Sequence, residues 1–423
     1  MAQHPLRIPA FRAYLLSRLV GTVALAAQGI VIGWQVYGIA RETMDIREAA
    51  FLLGMIGLAQ FVPLFLLTPV VGLAADTFDR RWIVRGTTAL LVLNAAMLGV
   101  LTWAGVLGLP ALFAAAVFVG IARAFSGPAY SALTPNLVPR DALPTAIAIS
   151  SSAWQVGAIA GPSLGGLLYA IHPDMAYGGI VLLFVIALAA MMMIGRVPQP
   201  PREVDRHPIA RLLDGFSYVR RNRFVLAAIT LDLFAVLLAG STALLPIFAR
   251  DILHVGASGL GILAAAMGVG AVVTAVWFSF RPMKTNVGVK MLAAVIVFGL
   301  AVLVFGLSRN FVLSFAALAV AGGADMVSVY VRSSLIQLHT PDGMRGRVSA
   351  VSQLTVSASN ELGEAESGIL ASLFGPVGAV VFGGVGAIAI TLLWSRLFPE
   401  LRLAKTFDPP ESLSLTPQPH SAL

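Results

Sequence analysis

Six stretches of this chain, residues 50–75, 86–122, 142–171, 175–195, 255–280 and 291–308, contain no Asp, Glu, Lys or Arg. A helix needs roughly 20 apolar residues to cross the hydrocarbon core of a bilayer. Lipid offers no partner for backbone N–H and C=O groups, so a crossing segment of this kind must satisfy them internally, as a helix does. Residues 86–122 exceed one crossing, and Gly108-Leu109-Pro110 divides them. Further apolar segments carry isolated charges: 12–40, 224–249 with Asp232, 311–338 with Asp325 and Arg332, and 348–373 with three glutamates. A last segment, 377–398, follows a Gly375-Pro376 break.

Composition agrees. Hydrophobic residues make up 58% of the 423 and charged residues 11%, against about 25% charged in soluble domains. The mean hydropathy is +0.88. A net charge of +8 would suggest a nucleic-acid partner in a soluble protein. Here the basic residues lie in short segments between apolar stretches, so they read as topology and no nucleic-acid partner is expected. The outer loops would hold only Arg41, Arg47, Arg250 and Arg309, with Arg18, Arg123 and Arg332 inside spans. The remaining Lys and Arg fall on one side, which places both termini in the cytoplasm and requires an even number of crossings. The expected architecture is an all-α membrane protein with twelve transmembrane helices in two six-helix bundles related by pseudo-twofold symmetry.

The chain divides into a first bundle (1–195), a linker (196–223), a second bundle (224–400) and a tail (401–423) expected to be disordered. The linker opens with Val197-Pro198-Gln199-Pro200-Pro201 and ends with Arg220-Arg221-Asn222-Arg223. Between them Ile209, Leu212, Leu213, Phe216 and Val219 recur at helical spacing. This predicts either an amphipathic helix on the cytoplasmic membrane surface or a solvated linker. Thr134-Pro135-Asn136 after span four and Thr340-Pro341-Asp342 after span ten form a weak repeat about half the chain apart. Repeated halves with a site between them mark transporters.

Two strings carry more information. Span two ends in Gly72-Leu73-Ala74-Ala75-Asp76-Thr77-Phe78-Asp79-Arg80-Arg81. Glycine permits close helix contact, and Asp76 with Arg80 and Arg81 in reach forms a cluster that can latch one conformation. Span five contains Gly157-Ala158-Ile159-Ala160-Gly161-Pro162-Ser163-Leu164-Gly165-Gly166. Gly157, Gly161 and Gly165 share a face for close packing, and Pro162 removes a backbone donor and bends the helix.

At these places in a twelve-span chain, the two strings resemble the major facilitator superfamily over about residues 10–400. The first looks like its loop between spans two and three, and the second is similar to the span-five signature associated with proton-driven antiporters. Arg123 in Ala122-Arg123-Ala124-Phe125 looks like the superfamily's span-four arginine. The second-half loop, Arg281-Pro282-Met283-Lys284, departs from the pattern. The strings from Gly127 to Pro139 and from Ser359 to Gly368 resemble the branch of enterobactin and related drug exporters. The resemblance implies export of a siderophore or amphipathic drug-like compound across a bacterial inner membrane, with multidrug resistance as a related role.

An ionisable group at mid-bilayer costs about 2.5–3.5 kcal/mol on insertion scales, so each one needs a reason. In span eleven Gln353, Ser357, Asn360, Glu364 and Ser367 lie on one helical stripe. Glu364 is near its centre, Glu361 flanks it and Glu366 points nearly the opposite way. Glu364, helped by Glu361, is expected to carry a proton; the alternative is a static strut between helices. In span ten Asp325 and Arg332 share a face about 10 Å apart by helical rise, each suited to a partner on another helix. Asp325 is the better coupling candidate, and Arg332 either pairs or snorkels toward the cytoplasm. Asp232 is a further coupling candidate, with no partner evident in sequence. Arg18 and Arg123 are charge-pair candidates, and Arg123 shares a face with Tyr130. Gln28, Gln35, Tyr130, Trp154, Gln155 and Asn360 are expected to line a cavity for amphipathic cargo.

The leading expectation is a monomeric secondary exporter, coupled to protons, embedded in lipid and working by alternating access on a small-molecule substrate. Import of a small solute by the same fold is the alternative. An enzyme is not expected: His4, His172, His207, His254, His339 and His420 lie in loops or tails without metal-ligand spacing, so no metal or cofactor is expected. No phosphate-binding GxxxxGK[ST] loop is present, which argues against direct use of ATP.

Overall fold

The computed structural model describes residues 4–197, 208–281 and 283–407. Span one is Pro9–Thr43, span two Ile46–Thr77, span three Arg80–Trp103, span four Leu109–Leu137, span five Leu143–Ile171 and span six Pro173–Met192. A short helix, Pro208–Arg221, leads into span seven, which begins at Arg223–Leu238 and continues in irregular turns to Ile252. Span eight is Gly256–Phe280, span nine Val287–Leu307 and span ten Phe311–Leu338. One run, Asp342–Leu397, holds the last two crossings.

Among the described residues ten segments are long and apolar enough to cross a membrane. Span five falls outside that set because glycine, serine and Gln155 dilute it. The run Asp342–Leu397 counts once, yet Gly375 breaks it at φ +78°, a left-handed conformation that side chains disfavour. Pro376 follows with its fixed φ. Spans eleven (342–374) and twelve (376–397) therefore bring the total to twelve. Among the described residues no strand is present.

Local chemistry sets the helix ends. Asp45 caps span two by accepting from the Glu48 N–H at 2.8 Å, and Glu48 accepts back from the Asp45 N–H at 3.3 Å. Asn222 and Asn310 cap spans seven and ten in the same manner, accepting from Val225 and Leu313.

Lipid tails are as apolar as leucine, so close packing holds the spans together. At the end bearing the loop between spans one and two, a single core draws on both halves. Tyr37, Ala50 and Leu53 pack there with Phe248, Leu260 and Ala371. At the end bearing the termini the cores are separate: Phe11, Tyr14, Leu133 and Met191 in the first half, and Val225, Leu335, Val348 and Trp394 in the second. The halves are thus joined at one end and parted at the other.

Two sequence expectations change. The linker helix does not present its whole apolar face outward. Val219 is buried in the second-half core, Asp214 pairs with Arg347 at 3.2 Å, and the Tyr218 hydroxyl donates to the His339 carbonyl at 3.0 Å. Leu213 and Phe216 are exposed, while the Ile209 and Leu212 side chains lie outside the described residues. The tail is ordered as far as Phe407. Leu401 is fully buried, the Gly288 N–H donates to the Ala404 carbonyl at 3.1 Å, and the Phe407 ring meets Tyr330 edge-on. These contacts tie residues 401–407 to spans nine and ten; residues 408–423 lie outside the described residues.

Candidate functional site

Small residues place the central charges. Gly120 lets span four approach span two so closely that a Cβ there would lie 2.8 Å from the Pro63 ring. That contact sets Arg123, one turn on, beside Gln60. On span two, a Cβ at Gly57 would lie 2.7 Å from the Glu364 Cβ, and one at Gly54 would lie 2.6 Å from the Gly368 Cα. Span eleven is therefore pressed against span two along Gly54 and Gly57, which carries its glutamates to the junction of the halves.

Arg123 bridges that junction. Its Nη1 is 2.5 Å from Glu361 Oε1 and donates to Gln60 Oε1 at 3.2 Å. Glu361 is 3% exposed. Glu364, one turn further, packs against Gly57 and makes no hydrogen bond among the described residues. The carboxylate bonded to arginine is thus Glu361, and the stripe residue Glu364 sits beside the pair. Asn360, next to Glu361, is exposed.

A second buried pair joins Arg332 of span ten to Asp232 of span seven, both 6% exposed. Asp232 therefore has a partner that its sequence neighbours do not reveal. Arg332 does not snorkel, because a nearby carboxylate stabilises its charge in place. Asp325, seven residues before Arg332, has no ion-pair partner among the described residues.

The sequence suggests a charge pair for Arg18, but among the described residues no carboxylate pairs with it. Its guanidinium lies 5.5 Å from the Tyr130 ring centroid, and its Nη1 reaches the Tyr14 hydroxyl at 3.5 Å. Tyr14 in turn bonds with Thr134 at 2.8 Å and Ser150 at 2.9 Å. Arg18, Tyr130 and Trp154 line one cavity within the first half. The other expected lining residues do not line it. Gln28 is fully buried, and its amide has no partner among the described residues. Gln35 accepts from the Tyr177 hydroxyl at 2.6 Å, which holds it inside the helix bundle. Gln155 and Asn360 lie elsewhere.

The span-five glycines make two seams. Gly157, Gly161 and Gly165 face span one: a Cβ would meet the Thr22 Cβ at 2.8 Å, the Val23 carbonyl at 2.6 Å and the Ala27 carbonyl at 2.7 Å respectively. Gly166 faces the other half, where a Cβ would lie 2.9 Å from the Gly261 Cα. A Cβ on Gly261 would reciprocally lie 2.7 Å from the Pro162 carbonyl.

In the loop after span two, the Gly72 and Asp76 side-chain positions lie outside the described residues. Arg80 donates to the Ala132 carbonyl at 3.1 Å. Arg81 pairs with Asp79 and donates to the Ile194 carbonyl at 3.3 Å. Both arginines therefore bind within their own half. The Arg81 guanidinium, hydrogen-bonded to the Asp79 carboxylate, holds that group below its ordinary value of 3.8.

Sequence reading missed a cluster at the joined end. The Tyr37 hydroxyl donates to Asp251, Arg41 Nε lies 3.4 Å from the same carboxylate, and Arg250 lies over the Tyr37 ring. Spans one and seven are tied there. In sequence, Arg41, Arg250 and Asp251 look like ordinary loop charges. Gln60 was also missed; its one signal was a lone amide in an otherwise apolar span.

Comparison with known proteins fits this geometry. A family model described as a transmembrane secretion effector matches residues 1–419. The enterobactin exporter of Citrobacter koseri is 27% identical over 404 residues, covering 93% of each chain. That of Escherichia coli O1:K1 / APEC is 26% identical over 411 residues, covering 95% of this chain and 94% of its own. Among solved structures, a bacterial homologue of the human lysosomal transporter Spinster superposes with TM-score 0.73 at 15% identity, covering 95% of this chain and 99% of its own. A D-xylose–proton symporter superposes with TM-score 0.71 at 13% identity, covering 92% and 98%. These folds share the two-bundle plan. The chain belongs to the transmembrane secretion effector family of the major facilitator superfamily, and is a multi-pass membrane transporter rather than an enzyme.

Proposed function

We propose that this protein is a proton-coupled exporter of a siderophore or an amphipathic drug-like compound, acting as a monomer in a bacterial inner membrane with both termini cytoplasmic. The observation that carries this reading is the Arg123–Glu361 pair. It joins spans four and eleven, which belong to different halves, with Glu364 one turn away. Ionised Glu361 holds the halves together on the side where their cores are shared. Protonation of Glu361 or Glu364 weakens the hold on Arg123 and favours the state in which that end opens. A proton thereby shifts a two-state equilibrium, which is all that coupling requires. Similarity to the enterobactin exporters supports export as the direction and a siderophore as one cargo class. The cytoplasmic placement of the termini rests on the distribution of Lys and Arg.

Reconstitution tests it. Proteoliposomes loaded with enterobactin or ethidium and given an imposed pH gradient should show gradient-driven movement that Glu361→Gln and Glu364→Gln reduce. Full gradient-driven transport in both variants would rule out these carboxylates as the coupling groups.

A further inference from the structure

The first half carries a partly open cavity of about 120 Å³ whose lining includes Arg18, Thr22, Thr87, Thr88, Tyr130 and Trp154. Its hydrogen-bonding capacity is uneven. Arg18 Nε is buried with no hydrogen-bond partner, and among the described residues no carboxylate pairs with the guanidinium. A guanidinium offers five N–H donors, and the Tyr14 hydroxyl meets one of them at 3.5 Å.

The threonines are the opposite case. Thr22 donates to the Arg18 carbonyl at 2.7 Å, Thr87 to the Val84 carbonyl at 3.0 Å and Thr88 to the same carbonyl at 2.7 Å. A hydroxyl has one hydrogen, so each of these oxygens has only lone pairs left to offer. The aromatic walls are Tyr130, whose hydroxyl bonds with Ser17 at 2.9 Å, and Trp154, which is 50% exposed.

A ligand that satisfies all three features needs an anionic oxygen for Arg18, a hydroxyl or N–H donor for the threonines and a flat ring for the aromatic faces. We infer that this cavity recognises a hydroxylated aromatic acid group. Its role as a cargo subsite rests on the transport reading above; its binding chemistry does not. An acidic group fits better than a cation here, because Arg18 already supplies an unneutralised positive charge. A purely apolar ligand would leave the buried Arg18 Nε donor without a partner, which is costly.

The test uses purified full-length protein in nanodiscs, without any gradient, and three probes: 3-hydroxybenzoate, benzoate and 3-hydroxybenzamide. Saturable binding of the hydroxy acid is expected, about tenfold or more tighter than its amide and a few-fold tighter than benzoate. Arg18→Gln should erase the preference for acid over amide, Arg18→Lys should keep most of it, and Trp154→Ala should weaken all three probes together. Equal binding of acid and amide by the unaltered protein, or no saturable binding of the acid, overturns the inference without relying on any variant. Retention of the acid preference in a folded Arg18→Gln protein overturns it as well. Absent gradient-driven transport alongside normal acid binding would defeat the transport reading alone. Normal transport without acid selectivity would defeat this site alone.

Discussion

Among the described residues two arginine–carboxylate pairs have deeply buried carboxylates, and they differ in what they join. Arg123–Glu361 links span four to span eleven, one helix from each half, and the arginine side chain is 35% exposed while the glutamate is 4% exposed. Arg332–Asp232 links span ten to span seven inside the second half, and both side chains are 7% exposed. A rigid-body movement of one half against the other leaves the second pair untouched and must disturb the first. The same chemistry therefore serves two purposes, and the boundary between the halves decides which. A pair within one bundle fixes that bundle's packing, and a pair across the boundary makes the relation of the bundles depend on charge.

The largest effect should fall on the sealed pair. Asp232→Asn leaves the Arg332 charge buried without its counter-charge, a loss of about 3–5 kcal/mol. The thermal midpoint in detergent should drop further than for any other variant named here. The double variant Asp232→Leu/Arg332→Met should recover most of the loss, since an apolar pair of similar volume can match a buried ion pair. A double variant as unstable as the single one would mean that the pair is not the cause. Glu361→Gln comes next, with the opposite signature. Gradient-driven transport should fall roughly 5- to 150-fold, the range of an ordinary coupling energy, with a smaller change in thermal midpoint than Asp232→Asn gives. Reversal of these two signatures would break the comparison outright.

The contrast between the pairs was only half legible in the sequence. Crossing number and the two halves follow from uncharged run lengths, basic-residue placement and the Gly375-Pro376 break, because lipid imposes those constraints one segment at a time. That Glu361 and Glu364 occupy span eleven is likewise plain from sequence. Which glutamate meets Arg123 is not, because it depends on how Gly54 and Gly57 set the depth and rotation of span eleven against span two. Asp232 and Arg332 are 100 positions apart, and their meeting depends on how spans seven and ten pack. Arg18 looked like a pairing arginine because a buried cation calls for an anion. The structure gives it instead a tyrosine face, one hydroxyl and a cavity, and leaves its Nε without a hydrogen-bond partner, an arrangement with no fixed sequence spacing.

The joined end offers a third, weaker test of the boundary argument. Tyr37 and Arg41 of span one hold Asp251 of span seven, so this contact also crosses between halves. Tyr37→Phe removes one hydrogen bond and should shift the balance toward opening at that end by roughly 2- to 12-fold. The chain has no cysteine, so Leu53→Cys, buried in the shared core, supplies a single reporter thiol. Its labelling rate by an impermeant maleimide supplied from the side of the joined end should rise by that factor when Tyr37→Phe is added. An unchanged rate would show that this cluster does not help hold the halves together.

The smallest effect belongs to the pair that is neither sealed nor shared. Asp79 and Arg81 sit at the start of span three, Arg81 buried and Asp79 partly exposed, and both they and the Ile194 carbonyl bound by Arg81 belong to the first half. Water reaches the carboxylate of this pair, whose side chain is 24% exposed, so its contribution is expected near that of surface pairs, about 0–1 kcal/mol. Because Arg81 holds the folded Asp79 below its ordinary 3.8, the stabilisation is fully present above that value and is lost as the pH falls through the folded value. Asp79→Asn should therefore lower the thermal midpoint slightly at neutral pH, and the difference from the unaltered protein should shrink only below about pH 4. Transport should keep its dependence on the pH gradient in this variant. A loss of gradient dependence there would mean that charge pairs within one half also govern the transition, and the distinction between the two buried pairs would no longer explain coupling.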